Sequence, residues 1–97
     1  MEFLVEIEVR LPPELPAEAR RDLLDREFAR GTELREAGTI VRIWREPGRI
    51  ANVAVWSAAD ATELHAAISS LPSFPYTRVH VRALATHPLE AGRPEGR

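Results

Sequence analysis

The sequence predicts an α+β fold in the order β-α-β-β-α-β, and three patterns carry that prediction. Residues 3–11 alternate apolar and polar side chains with a period of two. A long stretch bounded by Pro16 and Gly38 places apolar residues at helical spacing. Two runs rich in β-branched and aromatic residues then flank Pro47-Gly48.

In the first strand Phe3, Val5, Ile7, Val9 and Leu11 fall on one face, and Glu2, Glu6, Glu8 and Arg10 on the other. That is the pattern of a strand with one buried face. Pro12-Pro13 ends it, because proline offers no N–H to a ladder and restricts the residue before it. The helix that follows is predicted from Pro16 to Ala37. Pro16 suits a first helical position, Glu18 the positive end of the dipole, and Gly38 the stop. At about 100° per residue, Leu23, Leu24, Glu27, Gly31 and Leu34 share one arc, with Asp22, Asp25, Arg26, Glu33 and Glu36 opposite. Glycine inside a helix costs about 1 kcal/mol relative to alanine, so another element is expected to approach closely at Gly31.

Strands are predicted over Thr39–Glu46 and Ile50–Ser57. Between them Pro47 fits the second position of a turn and Gly48 the position that needs positive φ. Uninterrupted alternation sets Val41, Ile43, Val53 and Val55 on one face and Ile40, Trp44, Ile50 and Trp56 on the other. Both faces are apolar, so helices are expected to cover one and another subunit the other. A second helix follows from Ala61 to Leu71, capped by Asp60 with Glu63 completing a capping box. Its inward stripe is Ala61, Leu64, Ile68 and Leu71, and Pro72 closes it. After the loop Ser73-Phe74-Pro75, Val79, Val81 and Ala83 alternate with Arg78, His80 and Arg82 in a last strand. The order is the ferredoxin-like arrangement, an antiparallel sheet with two helices on one face. Residues 1–88 form a single domain on this reading, and residues 89–97, rich in proline and glycine, form a flexible tail or an arm onto a neighbour.

The chain has 97 residues and no cysteine, so neither disulfides nor a thiolate-bound metal can stiffen it. A domain this small buries a modest share of its surface, and self-association is the remaining common route to further burial. A homo-oligomer is therefore expected. The net charge is −2, every basic side chain other than histidine is arginine, and the arginines are scattered among acids. Nucleic acid, which needs a concentrated basic face, is not an expected partner. Acidic residues inside the opening apolar run argue against a signal peptide. No apolar stretch approaches the roughly 20 residues that span a bilayer, so no membrane partner is expected and the cytoplasm is the expected location.

Glu27 stands out, a carboxylate near the centre of an apolar arc. Desolvation there would raise its pKa toward neutrality and suit it to general base chemistry. The other reading sets Glu27 at the edge of that face, paired with Arg30, Arg20 or a strand arginine. Arg42 and Asn52 share the alternation of Ile40, Trp44 and Ile50, while Arg45 points the other way. Arginine can grip a carboxylate through two parallel hydrogen bonds, and an asparagine amide can donate to a carbonyl oxygen as charge develops on it. The same residues could instead bridge subunits. The histidines at 65, 80 and 87 lack metal-ligand spacing, so no metal site is expected. There is no glycine-rich phosphate loop and no G-x-S-x-G elbow. What remains is proton-transfer chemistry or plain binding.

Several pieces together resemble muconolactone Δ-isomerase. They are Val9-Arg10-Leu11-Pro12, the helix with Glu27, Gly38-Thr39, Ile43-Trp44-Arg45, Gly48 and Ala51-Asn52. They continue with Leu64-His65, Leu71-Pro72-Ser73-Phe74-Pro75-Tyr76 and His87-Pro88. The resemblance implies a ferredoxin-like subunit in a ring-like homo-oligomer, a decamer built from dimers. It implies cofactor-free isomerisation of muconolactone to the 3-oxoadipate enol-lactone, in aromatic-compound degradation through catechol by the β-ketoadipate pathway. Glu27 would be the acid/base, Asn52 the donor at the lactone oxygen, and Arg42 or Arg45 the grip on the acetate arm. Trp44 and Ile50 would line the substrate site. The chain departs from the family's usual pattern at Ile40 and Ile50, where aromatic side chains are usual, and at Arg42, where histidine is. A dehalogenase of chlorinated muconolactones shares the scaffold and is one alternative. A non-catalytic ferredoxin-like module for small acids or assembly is a second, and a cofactor-free oxygenase of related α+β shape a third.

Overall fold

Alternation, helix caps and turn residues set the boundaries seen in the computed structural model, which describes residues 1–91. The elements are β1 (Glu2–Val9), α1 (Ala17–Glu36), β2 (Ile40–Arg45), β3 (Ala51–Ser57), α2 (Ala61–Ser69), β4 (Thr77–Leu84) and α3 (Pro88–Ala91). A 3₁₀ turn, Phe74–Tyr76, precedes β4. Part of the expected tail is thus a single helical turn, and its remainder, 92–97, lies outside the described residues. Among the described residues no helix is long and apolar enough to cross a membrane.

The sheet runs β2-β3-β1-β4 and every neighbouring pair is antiparallel. This is the predicted ferredoxin-like order. One face carries Phe3, Val5 and Ile7 of β1 with Ala54 and Trp56 of β3, all buried against Leu34 of α1 and Leu64 and Ile68 of α2. Central strands β1 and β3 therefore supply the core, and both helices cover the same side.

Local chemistry explains the ends. Gly38, at φ 81°, lets the chain leave α1 through a Schellman closure, with Gly38 N–H donating to Arg35 O at 3.1 Å and Thr39 N–H to Leu34 O at 3.0 Å. Gly48, at φ 78°, occupies the positive-φ position of the Pro47 turn, closed by Arg49 N–H to Glu46 O at 3.3 Å. Asp60 accepts from Glu63 N–H at 2.8 Å, as a cap should. Glu63 reaches back one residue further than a capping box does, accepting from Ala59 N–H at 3.0 Å.

Two expectations are corrected. On α1 only Leu23 and Leu34 are buried, and Leu24 is 47% exposed. Successive helical residues lie about 100° apart, so a helix seated on Leu23 and Leu34 turns Leu24 off the contact stripe. The second correction concerns β2. Ile40 pairs with Trp56 but Arg42 pairs with Val55, so Val41 is the extra residue of a β-bulge. An added residue inverts every later side chain. Ile43 and Arg45 consequently join Ile40, Asn52, Ala54 and Trp56 on the helix side, while Arg42 and Trp44 face outward with Val53 and Val55.

Candidate active site

Glu27 sits at mid-length in α1, half-buried, on the stripe that continues through Gly31 to Arg35. Spacings of four residues stack side chains on one helical face. Glu27 Oε1 accepts a hydrogen bond from the backbone N–H of Ser73 at 2.9 Å. Two of the arginines expected to neutralise it are engaged elsewhere. Arg30 donates to Ser70 Oγ at 2.9 Å and to Glu33 at 3.0 Å, and Arg20 donates to Pro12 O at 3.3 Å. Among the described residues Glu27 has no ion pair.

Beside this carboxylate, between α1 and the bulged end of the sheet, lies a cavity of about 470 Å³. That size suits a small organic ligand. Ile7, Ile40, Ile43, Trp56 and Leu71 form apolar walls, and Glu27, Thr32, Arg35, Glu36, Arg45 and Asn52 supply the polar groups. Asn52 and Arg45 are cross-strand partners and share a face because of the bulge. Neither Arg35 nor Arg45 has an ion-pair or hydrogen-bond partner through its side chain among the described residues.

The structure thus brings together Glu27, Asn52 and Arg45 and leaves three other predicted site residues outside the cavity. The Arg42 guanidinium lies 4.9 Å from the centroid of the Trp44 ring, a cation–π contact on the outward face. Ile50 precedes β3 and is 70% exposed. Alternation counted through Val41 without its bulge put Arg42 on the side of Asn52 and Arg45 on the other; the pairing reverses both. Gly31 also differs from expectation. Among the described residues no atom beyond its own helix backbone and chain neighbours lies within 4 Å of where its Cβ would be, so the missing side chain leaves cavity space and not a close helix contact.

Buried polar atoms without a hydrogen-bond partner concentrate here. Among the described residues they are Asn52 Oδ1, Trp56 Nε1 and Ser73 Oγ. Two belong to residues that line the cavity, and the third to the residue whose N–H holds Glu27. Folded proteins pair nearly all such atoms, so a cluster of exceptions marks a place shaped for something other than stability.

The sequence profile of the family described as muconolactone delta-isomerase matches residues 1–90. The chain belongs to the muconolactone Δ-isomerase family. The Muconolactone Delta-isomerase of Cupriavidus pinatubonensis is 38% identical over 88 residues, covering 91% of this chain and 96% of the relative. Muconolactone Delta-isomerase 2 of Acinetobacter lwoffii is 40% identical over 87 residues, covering 90% and 91%. A crystal structure of muconolactone isomerase aligns with a TM-score of 0.85 at 32% identity, covering 91% of this chain and 92% of that one.

Three residues of this family member's site were not singled out by the sequence reading. Arg35 was discoverable, since it continues the stripe of Glu27 and Gly31 by one more turn. Trp56 reads as core, and it is core, at 1% exposure; only the unpartnered Nε1 distinguishes it. Ser73 acts through its backbone, which no side-chain pattern reveals.

On the other face of the sheet, Glu8 receives Arg49 and Arg10, each at 3.2 Å. The Arg49 hydrogen bond, opposed by some desolvation and joined by that of Arg10, holds the Glu8 carboxyl below its usual range. Glu8, Glu46, Arg10 and Arg49 neutralise one another there.

Proposed function

We propose that this chain isomerises muconolactone to the 3-oxoadipate enol-lactone, with Glu27 as both base and acid. The observation that carries the reading is Glu27 in the wall of the cavity, fixed by the Ser73 N–H and, among the described residues, unpaired with any arginine. The carboxylate takes the proton from the ring carbon that bears the acetate arm. The electron pair released forms the new ring double bond, and the old one shifts charge through conjugation onto the lactone carbonyl oxygen. Glu27, now a carboxylic acid, returns the proton to the carbon beside that carbonyl. One proton leaves and one arrives, and the double bond has moved by one position.

Arg45 grips the acetate carboxylate in this scheme, with Arg35 as a second cation at the cavity wall. Bidentate pairing with a carboxylate is the strongest polar contact such a site can make. Asn52, beside Arg45 on the neighbouring strand, donates to the substrate from its amide nitrogen. Because every step is a proton transfer, the scheme draws only on the substrate and residues of the chain.

A homo-oligomer, with a decamer as its expected size, belongs to the same proposal. Phe28 at 80% and Leu24 at 47% exposure on α1, and Trp44 at 43% on the outward sheet face, support it, since large apolar side chains grouped at a surface mark contact sites. The proposal keeps the cytoplasmic location expected from composition.

The test is turnover of muconolactone by purified protein, with Glu27→Gln beside it. Glutamine keeps an acceptor for the Ser73 N–H but cannot take a proton. Activity should fall by about 10²-fold or more, the scale of a lost general base. A Glu27→Gln protein that turns over at the parent rate would refute the assignment.

A further inference from the structure

We propose that the Trp56 indole N–H is a hydrogen-bond donor to the bound substrate, meeting the lactone carbonyl oxygen at the end of the cavity opposite Arg45. The proposal rests on the lactone-isomerase reading of this site.

Trp56 is 1% exposed and belongs to the cavity wall, yet among the described residues its Nε1 has no partner. Buried tryptophans usually find an acceptor, and an unmade hydrogen bond forfeits the hydration the N–H had in water. If only bulk were needed, phenylalanine would supply it without an orphaned donor. Its sheet neighbours carry no acceptor: Trp56 pairs across the sheet with Phe3 and Ile40, and Ala54 precedes it on its own face. None of the cavity's oxygen-bearing side chains, Glu27, Thr32, Glu36 and Asn52, is its partner either. A cavity ligand can provide the acceptor that these side chains do not.

Charge and spacing assign the oxygen. Asn52 and Arg45 form one cross-strand pair, and Trp56 and Ile40 another. Four strand residues separate them, about 13 Å between Cα atoms at roughly 3.3 Å per residue. Side chains reaching in from both ends leave room for a small lactone acid lying lengthwise. A carboxylate takes the guanidinium end. The ring carbonyl then meets the neutral indole, whose N–H strengthens its hold as that oxygen gains charge in the dienolate. Trp56 transfers no proton in this scheme.

The test combines kinetics with the indole resonance itself. Trp56→Phe keeps an aromatic ring and deletes the donor. Its kcat for muconolactone should fall by about 10- to 100-fold with KM little changed, because the bond is made chiefly to the developing oxyanion. Its melting temperature without ligand should hold or rise, since an orphaned donor has gone. Independently of any variant, ¹⁵N-labelled parent protein gives indole signals from Trp44 and Trp56, distinguished with Trp44→Phe. The saturated lactone carrying the same acetate arm, which cannot isomerise, should move the Trp56 signal downfield. A folded Trp56→Phe with parental kcat, or a Trp56 signal unmoved at saturation, overturns the proposal. Should the parent fail to turn over muconolactone, the isomerase reading falls. The indole signal then decides alone: movement keeps Trp56 as donor in a lactone-acid pocket, and no movement removes it.

Discussion

Gly31→Ala should make the protein more stable and a poorer enzyme. Gly31 lies inside α1, at a φ that is not positive, so alanine can adopt its backbone conformation. Beyond its own helix backbone and chain neighbours, an added Cβ would meet no atom of the described residues within 4 Å, so no clash offsets the gain. Replacing a helix-interior glycine by alanine is worth about 1 kcal/mol. For a domain of this size that corresponds to a rise of about 4–8 °C in Tm. Calorimetry at matched protein concentration reads it, because self-association would otherwise shift the midpoint. The methyl group enters the cavity one helical turn from Glu27. Displacements of about 1 Å at a reacting centre cost up to about 10²-fold, so kcat/KM should fall several-fold for alanine and by about 10²-fold for Gly31→Leu. Destabilisation by alanine would mean that a neighbour already fills the space. Full activity in Gly31→Leu would mean that the reaction takes place elsewhere.

Two more outcomes follow from the pairing and from charge. Arg45→Met should raise KM for muconolactone by about 10-fold or more, the scale of a hydrogen bond to a charged group, whereas Arg42→Met should leave kcat/KM near the parent value. Equal effects would undo the placement of these arginines by the β2 bulge. The lowered Glu8 carboxyl contributes stability that is fully present above the ordinary glutamate pKa of about 4.3 and is lost as pH falls through its lower folded value. In Glu8→Gln, urea midpoints followed downward from neutral pH should lack that part of the acid slope, and 1 M salt should shrink the difference between the proteins.

Most of the fold was legible because its signals are local. Period-two alternation in β1, Gly38 and Gly48 at positive φ, and Asp60 at the start of α2 each act within a few residues. The site was legible only in part. Glu27 could be found because a carboxylate interrupts an apolar arc. The facing of β2 could not, because a bulge is decided by how two strands pair and not by the sequence of either one. Neither Val41 nor its neighbours carry the glycine that some bulges need. One uncounted residue was enough to exchange Arg42 for Arg45 and to place Trp44 on the wrong face.

The bulge also shows how the chain reconciles two demands on one edge strand. Ile40 must face the core beside Trp56, where it is 5% exposed. Arg45, five positions later, faces the cavity beside Asn52. An odd spacing in a regular strand puts two residues on opposite faces, so the inserted residue at Val41 is what lets both face inward. The segment after α2 solves a comparable problem for Glu27. Pro72 and Pro75 have no N–H to place, and the bend leading into the 3₁₀ turn Phe74–Tyr76 is closed by Phe74 N–H to Leu71 O at 2.9 Å and the turn itself by Tyr76 N–H to Ser73 O at 2.8 Å. Ser73 N–H is left over in a stiff loop, and it is the donor that Glu27 accepts at 2.9 Å. A backbone donor can fix a carboxylate without delivering the full positive charge of an arginine, which would hold the group ionised and make it a weaker base. The run Leu71-Pro72-Ser73-Phe74-Pro75-Tyr76, one of the pieces that carry the resemblance, therefore has a physical task in the proposed scheme, to hold the Glu27 carboxylate in place through a neutral donor.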